Sequence, residues 1–401
     1  MILTEQKFQD HAGLIIYDPD KAQVVYEFNS NKYFTPASNT KIFTFFTSLS
    51  IIGDSIPAFK YVISGDSLIF WGTGDPSFLY KNSFNTPDVY NFFIEAKQQL
   101  YLSTSNFQTK RFGAGWAWDD YNDYYSTERS SFPIYGSIIS IEEQDNCVKV
   151  YPHFFNSSIV KNPGVTDKSS VVREVHENRM KYFPGMQSKK LAKDIPIKIN
   201  DSLTCALLSD TLKRPVTLIN KRLPISTKTF FSIPADSVYK VMMQQSDNFI
   251  AEQLLLICSE ILSDTLKPEI AISYAKKNLM NDFKDEPVWI DGSGLSRYNL
   301  FTPRSIVQLW EKIYKLVPRE RLFPLLATTG KGTMRTSYKA EAPYIFGKTG
   351  TLSNNHNLSG YLLTKTGKVL IFAFMNNNYI TPTSDIRKNM AEVLIKIKDK
   401  Y

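Results

Sequence analysis

The chain has few of the residues that build metal sites and disulfide frameworks. Its 401 residues include three cysteines, Cys147, Cys205 and Cys258, with no Cys-x-x-Cys among them. Neither a disulfide framework nor a zinc cluster is expected from so few. The four histidines form no His-Glu-x-x-His, which sets aside the common zinc hydrolases. No apolar run approaches the roughly 18 residues that a membrane-spanning helix needs. Gly-x-x-x-x-Gly-Lys-Ser/Thr is missing, and Gly72-Thr73-Gly74 lacks the third glycine and following helix of a dinucleotide site. Gly292-Ser293-Gly294 is not the Gly-x-Ser-x-Gly elbow of an α/β-hydrolase. No metal and no cofactor is therefore expected.

Hydrophobic residues make up 43% and charged residues 21%, the balance of a globular chain. The length suits two to three domains. Lys and Arg number 47 against 39 Asp and Glu, a net charge of +8. The basic residues are scattered and form no stripe, so nucleic acid is not an expected partner. A mild positive balance instead suits a polyanionic neighbourhood. Residues 1–30 show no basic start followed by an apolar stretch, so no signal peptide is visible. Two readings stay open: a cytoplasmic protein, or one whose leader was removed.

Residues 13–17 and Gln23–Phe28, joined by Asp18-Pro19-Asp20, predict a β-hairpin. Pro36 and Ser38 then mark the start of a helix over 39–50, with Ile42, Phe43, Phe46 and Leu49 at helical spacing. From about 56 to 232 short β-like runs at 61–63, 67–71 and 147–151 alternate with polar loops. The stretch 156–193, which includes Lys189-Lys190, reads as a loop-rich excursion. Helical periodicity returns at 237–245, 249–262 and 304–316. The end predicts strands at 342–349, 358–363 and 368–375 and a helix at 385–398. The expected fold is α/β (α+β), residues 1–55 and 233–401 forming one domain around an inserted, mostly β accessory region at 56–232.

Ser38-Asn39-Thr40-Lys41 has the form Ser-x-x-Lys. At a helix start, positions i and i+3 share a face, so the lysine amine can take the serine proton if neighbouring cations lower its pKa. Three further copies begin at Ser158, Ser237 and Ser273, and each alone reads as polar surface. Ser-x-Asn occurs at Ser83, Ser246 and Ser353, and Lys-Thr-Gly at Lys348 and Lys365. Context separates the copies. Only Ser38 has the Pro-Ala-Ser lead and an apolar helix behind it. Ser246-Asp247-Asn248 joins two helices. Lys365-Thr366-Gly367 sits between two apolar runs as a hairpin turn, whereas Lys348-Thr349-Gly350 ends one and suits a strand edge at a cleft. In chain order the triple is Ser-x-x-Lys, Ser-x-Asn, Lys-Thr-Gly, the set used by penicillin-binding proteins and class A β-lactamases.

With Gly74-Asp75-Pro76, Gly115-Trp116-Ala117-Trp118-Asp119-Asp120, the run from Asp291 to Arg297, and Asn357-Leu358-Ser359-Gly360, the chain resembles one family over most of its length. This is the class C low-molecular-mass penicillin-binding proteins, the PBP4-type D-alanyl-D-alanine carboxypeptidases/endopeptidases of peptidase family S13. The long gap between the first two motifs also fits, because this family inserts extra domains there.

The resemblance implies a serine β-lactamase/DD-peptidase-like fold and hydrolysis of peptidoglycan stem peptides, with β-lactams as covalent inhibitors. It implies Ser38 as nucleophile, Lys41 as its base, Ser246 and Asn248 as relay, and Lys348 as a source of positive potential. Thr349, Gly350 and Thr351 would line the strand that holds the substrate. Asp120, Tyr125 and Arg297 would contact the stem-peptide side chain, typically a diaminopimelate. Tyr125 stands where other members have Phe. The work implied is extracytoplasmic, with a leader removed. A β-lactamase or esterase on the same fold, or an inactive cell-wall-binding homologue, are the alternatives.

Overall fold

The computed structural model describes residues 10–80, 83–144, 147–186, 191–338 and 340–401. The expected N-terminal hairpin is present as His11–Asp18 and Gln23–Phe28. It completes a six-stranded sheet whose other members come from the far end of the chain. The order is Ala327–Thr328, Ile345–Leu352, Asn355–Leu363, Val369–Asn377, His11–Asp18, Gln23–Phe28, every neighbouring pair antiparallel. Strand side chains alternate between faces, and the two faces feed two cores. Ile15, Ile371, Ala373 and Met375 face a large helical core. Leu14, Ile16, Phe372 and Phe374 face the C-terminal helix Thr383–Lys400.

The helical core has reasons in sequence. Thr40–Ile51 contains neither Gly nor Pro, and Ile42, Phe43, Phe45 and Phe46 are all buried. Asn248–Ser263 is capped by Asp247, whose carboxylate accepts the Ile250 N–H at 2.9 Å. Twelve of its residues are buried, so it runs through the core and not along its surface. Pro303–Leu316 has proline in its first turn and Thr302 as cap, and it packs on the sheet beside Ile371.

Residues 56–232 lie between these two parts of the chain. They supply most of a five-stranded sheet ordered Val216–Ile219, Gln99–Ser103, Ser67–Gly72, Ser55–Ser64, Lys228–Pro234. Two three-stranded sheets follow from the stretch 138–196. The region is less purely β than expected. Helices Pro87–Glu95 and Asp201–Leu212 pack on the larger sheet through Phe93, Leu207 and Leu208. The expected excursion at 156–193 instead holds short paired strands, Ile159–Lys161, Ser170–Arg173 and Met180–Phe183. Lys189-Lys190 lies outside the described residues. Among the described residues no helix is long and apolar enough to cross a membrane.

Candidate active site

Ser38 sits in a single 3-10 turn, Ala37–Asn39, that leads directly into Thr40–Ile51. Ala37 has φ +49°, a strained value for a residue with a side chain. Gly294 explains how the turn is held. Its own φ is +84°, and a Cβ there would stand 1.9 Å from the Ala37 carbonyl oxygen. The serine turn and the Asp291–Arg297 loop are therefore in backbone contact, which only glycine permits.

Lys41, second in the helix and one turn after Ser38, is fully buried. Its Nζ lies 3.0 Å from Ser38 Oγ, 2.6 Å from Asn248 Oδ1 and 2.6 Å from the Ser293 carbonyl oxygen. The Asn248 amide is oriented by its other end, where Nδ2 donates to the Tyr125 carbonyl at 2.9 Å. Two of the three neighbours of Lys41 can therefore only accept. A neutral amine has two hydrogens, both used on these oxygens, and its lone pair is left facing the Ser38 hydroxyl. Burial brings the Lys41 pKa down to about 8, against an upward pull from Asp291, Asp247 and Glu252. The sequence had suggested a neighbouring cation as the cause; burial is the leading one.

Ser246 closes the helix Ala235–Gln245 in the left-handed region, with φ +61°. That conformation lets Asp247 turn inward as a cap while Ser246 and Asn248 remain on the cleft side. Lys348 is fully buried, with Nζ 2.8 Å from Ser246 Oγ and donating to the Thr349 carbonyl at 2.7 Å. Burial, and then the charge of Lys41, hold its pKa well below the usual lysine range. Thr349 Oγ1 is 2.7 Å from Thr333 Oγ1. Gly350 lies behind the cleft wall: a Cβ there would come within 2.5 Å of the Pro36 carbonyl oxygen. The strand thus presses against the serine turn.

The cleft at this point has a volume of about 780 Å³. Ser38, Ser246, Asn248, Thr349 and Thr351 line one end, and Asp120, Tyr125 and Arg297 line the same space. Lys41 and Lys348 lie beneath the floor. Tyr125 donates toward Asp120 at 3.1 Å and Asp123 at 3.0 Å. Desolvation raises the Asp120 pKa, which the Tyr125 hydroxyl opposes; Asp119 and Asp123 add to the rise and Arg297 counters it. Arg297 is exposed and makes no ion pair among the described residues. The other Ser-x-x-Lys serines lie away from the cleft, Ser237 and Ser273 exposed and Ser158 half-buried.

Several contributors escaped the sequence reading. Asp291 accepts from Trp116 Nε1, Ser296 N, Gly294 N and Asn299 Nδ2, at 2.7–2.9 Å, and so folds the loop that presents the Ser293 carbonyl. Glu252 accepts the Ser293 N–H at 2.8 Å and forms a buried ion pair with Arg129 at 2.6 Å. Arg335 and Arg387 add positive charge to the cleft wall. The Asp291–Gly294 motif was visible, but nothing local ties it to Lys41.

A serine with an adjoining base, beside a strand that can hold an extended chain, belongs to enzymes that build and hydrolyse an ester on their own hydroxyl. Fold and cleft together define an acyl-transferring serine hydrolase. The D-Ala-D-Ala carboxypeptidase 3 (S13) family model matches residues 1–397, and the chain belongs to that family. The D-alanyl-D-alanine carboxypeptidase DacB of Haemophilus influenzae is 22% identical, over 92% of this chain and 86% of its own length. The crystal structure of penicillin binding protein 4 from that organism has a TM-score of 0.80 and 22% identity, covering 98% of this chain and 97% of that one. A predatory peptidoglycan endopeptidase of Bdellovibrio bacteriovorus shares the fold at a TM-score of 0.56 and 14% identity, covering 98% and 93%.

Proposed function

We propose that the chain hydrolyses the D-Ala-D-Ala bond, and D-residue cross-links, of peptidoglycan stem peptides through an ester on Ser38. The observation that carries this is the Lys41 amine, whose hydrogens are held by Asn248 and Ser293 so that its lone pair meets the Ser38 hydroxyl. Ser38 Oγ attacks the carbonyl carbon and Lys41 takes the hydroxyl proton. The backbone N–H groups of Ser38 and Thr351 receive the oxyanion. Its collapse breaks the C–N bond, and the amine leaves with a proton passed through Ser246. Asn248 orients the peptide, and Thr349 and Gly350 belong to the strand along which it lies. Lys348 draws the substrate carboxylate in its charged form. Water then repeats the sequence and releases the acid. Residues 1–55 and 233–401 form the peptidase domain and 56–232 the insertion, and the substrate places the work outside the cytoplasm. The test is detection by intact mass of a penicillin adduct and measurement of its lifetime. A long-lived adduct with release of D-Ala from a pentapeptide supports the peptidase reading; rapid turnover of penicillin would make the chain a β-lactamase.

The base sets the pH dependence. Lys41 accepts a proton only when neutral, and its pKa is lowered to about 8. Acylation kcat/KM is therefore expected to rise with pH and to level off above about 8, the protonated form being inactive. A profile that is flat across that range, or that falls, would remove Lys41 as the base.

Asp120 and Arg297 present opposite charges to the same cleft. A side chain ending in both an ammonium and a carboxylate can pair both, while a neutral one leaves them unpaired. Asp120→Ala is expected to lower kcat/KM for a stem peptide with a free zwitterionic side chain by about tenfold to a hundredfold, the effect of one charged hydrogen bond. Penicillin acylation should barely change, since penicillin lacks that side chain. Equal slowing of both reactions would make Asp120 a structural residue.

A further inference from the structure

Beside the strand that carries Thr349 and Thr351 lies a buried histidine that the reaction scheme leaves unused. His356 stands directly opposite Thr351 in the antiparallel register and is 1% exposed. Its Nδ1 is 2.8 Å from Thr351 Oγ1, and its Nε2 is 3.1 Å from the Tyr338 hydroxyl. Tyr338 is itself buried, with Met390 Sδ of the C-terminal helix 3.9 Å from the same hydroxyl. The Tyr338 backbone has φ +56°. A bulky residue is strained there, so the surrounding packing holds the phenol in place against a cost.

The rules of hydrogen bonding give this chain a direction. Burial, with Arg387 and Lys348 nearby, pushes the His356 pKa down to about 3, so the ring is neutral. A neutral imidazole donates from one nitrogen and accepts at the other. The Tyr338 hydroxyl has a strong acceptor in Nε2 and only a weak one in the Met390 thioether. It therefore donates to Nε2, and the ring hydrogen resides on Nδ1. Nδ1–H donates to Thr351 Oγ1, and the threonine hydrogen is left to point away from the histidine. Thr351 is exposed and lines the cleft, while Thr349, on the same face, is already engaged with Thr333.

We propose that His356 and Tyr338 are positioning residues that hold the Thr351 hydroxyl as a hydrogen-bond donor into the cleft, toward a carboxylate on the bound peptide or β-lactam. This rests on the serine-peptidase reading and adds a determinant of its preference for acyl donors with a free carboxylate.

The test compares acylation of Ser38 by a penicillin and by the methyl ester of the same penicillin, which has no carboxylate. The quantity read is the ratio of the two rate constants. Thr351→Val is expected to lower it about tenfold, the low end of what one hydrogen bond to a charged group contributes. His356→Leu should lower it by a similar factor, and the double variant no further. His356→Asn, which keeps an N–H near the place of Nδ1, should restore most of it. Tyr338→Phe frees the ring hydrogen to move to Nε2 and should lower the ratio several-fold with little change in melting temperature. It serves as the probe if His356→Leu does not fold. If both compounds slow equally in the His356 and Tyr338 variants, the histidine only packs the sheet and the proposal fails. It also fails if His356→Leu and Thr351→Val act additively. A wild-type protein that takes up neither compound would overturn the parent reading; uptake with an unmoved ratio overturns this inference alone.

Discussion

Ser38→Ala is expected to abolish covalent labelling by a penicillin while the protein stays folded. The β-lactam amide is attacked as the peptide is, and without the hydroxyl no ester can form. Loss of a catalytic serine typically costs on the order of 10⁶ in rate, which takes labelling below detection. The fold should survive. Ser38 is only partly buried, and Lys41 keeps Asn248 and the Ser293 carbonyl as partners. Mass mapping of the wild-type adduct is the check. Label on Ser158, Ser237 or Ser273, or label persisting in the variant, would remove Ser38 as the nucleophile.

The two Lys-Thr-Gly copies should separate just as sharply. Lys348→Ala is expected to slow acylation by ~10²–10³, the usual effect of deleting a group aimed at developing charge. Lys348 has no solvent, and its amine is spent on Ser246 and the Thr349 carbonyl. Lys365 is exposed in the turn between Asn355–Leu363 and Val369–Asn377, with Gly367 at φ +83° completing the bend. Lys365→Ala should leave the rate within about twofold, as a solvated surface change does. Stopped-flow acylation of the two variants decides it; equal losses would mean that neither lysine is specific to the cleft.

The motifs of the candidate site were legible because their signals are local. Pro36 before Ser38, the apolar spacing of Ile42, Phe43 and Phe46, and the polar link Ser246-Asp247-Asn248 between helices can each be read within a dozen residues. The stretch 56–232 was harder. Its strands Ile159–Lys161 and Ser170–Arg173 are three and four residues long, too short for a clear periodic signal, and the first pairs in parallel with Met180–Phe183 some twenty residues on. The helix Asp201–Leu212 announces itself by the Asn200 side chain, which accepts the Leu203 N–H, yet its apolar residues make no clean stripe. The Lys41 contact with Ser293 could not be read at all, since 252 positions separate the two residues.

The Arg129–Glu252 pair bears on how separable residues 56–232 are from the rest of the chain. Glu252 belongs to the core helix, and its second oxygen accepts the N–H of Ser293, the residue whose carbonyl receives the Lys41 amine. Arg129 comes from the stretch 56–232 and is stacked over Trp116. A variant that kept residues 56–232 but lacked an arginine at this place would strand a carboxylate in a dry interior. Removing one partner of such a pair costs about 3–5 kcal/mol, and here the strain would fall on the loop behind Lys41. Arg129 and Glu252 are therefore expected to tolerate replacement only as a pair.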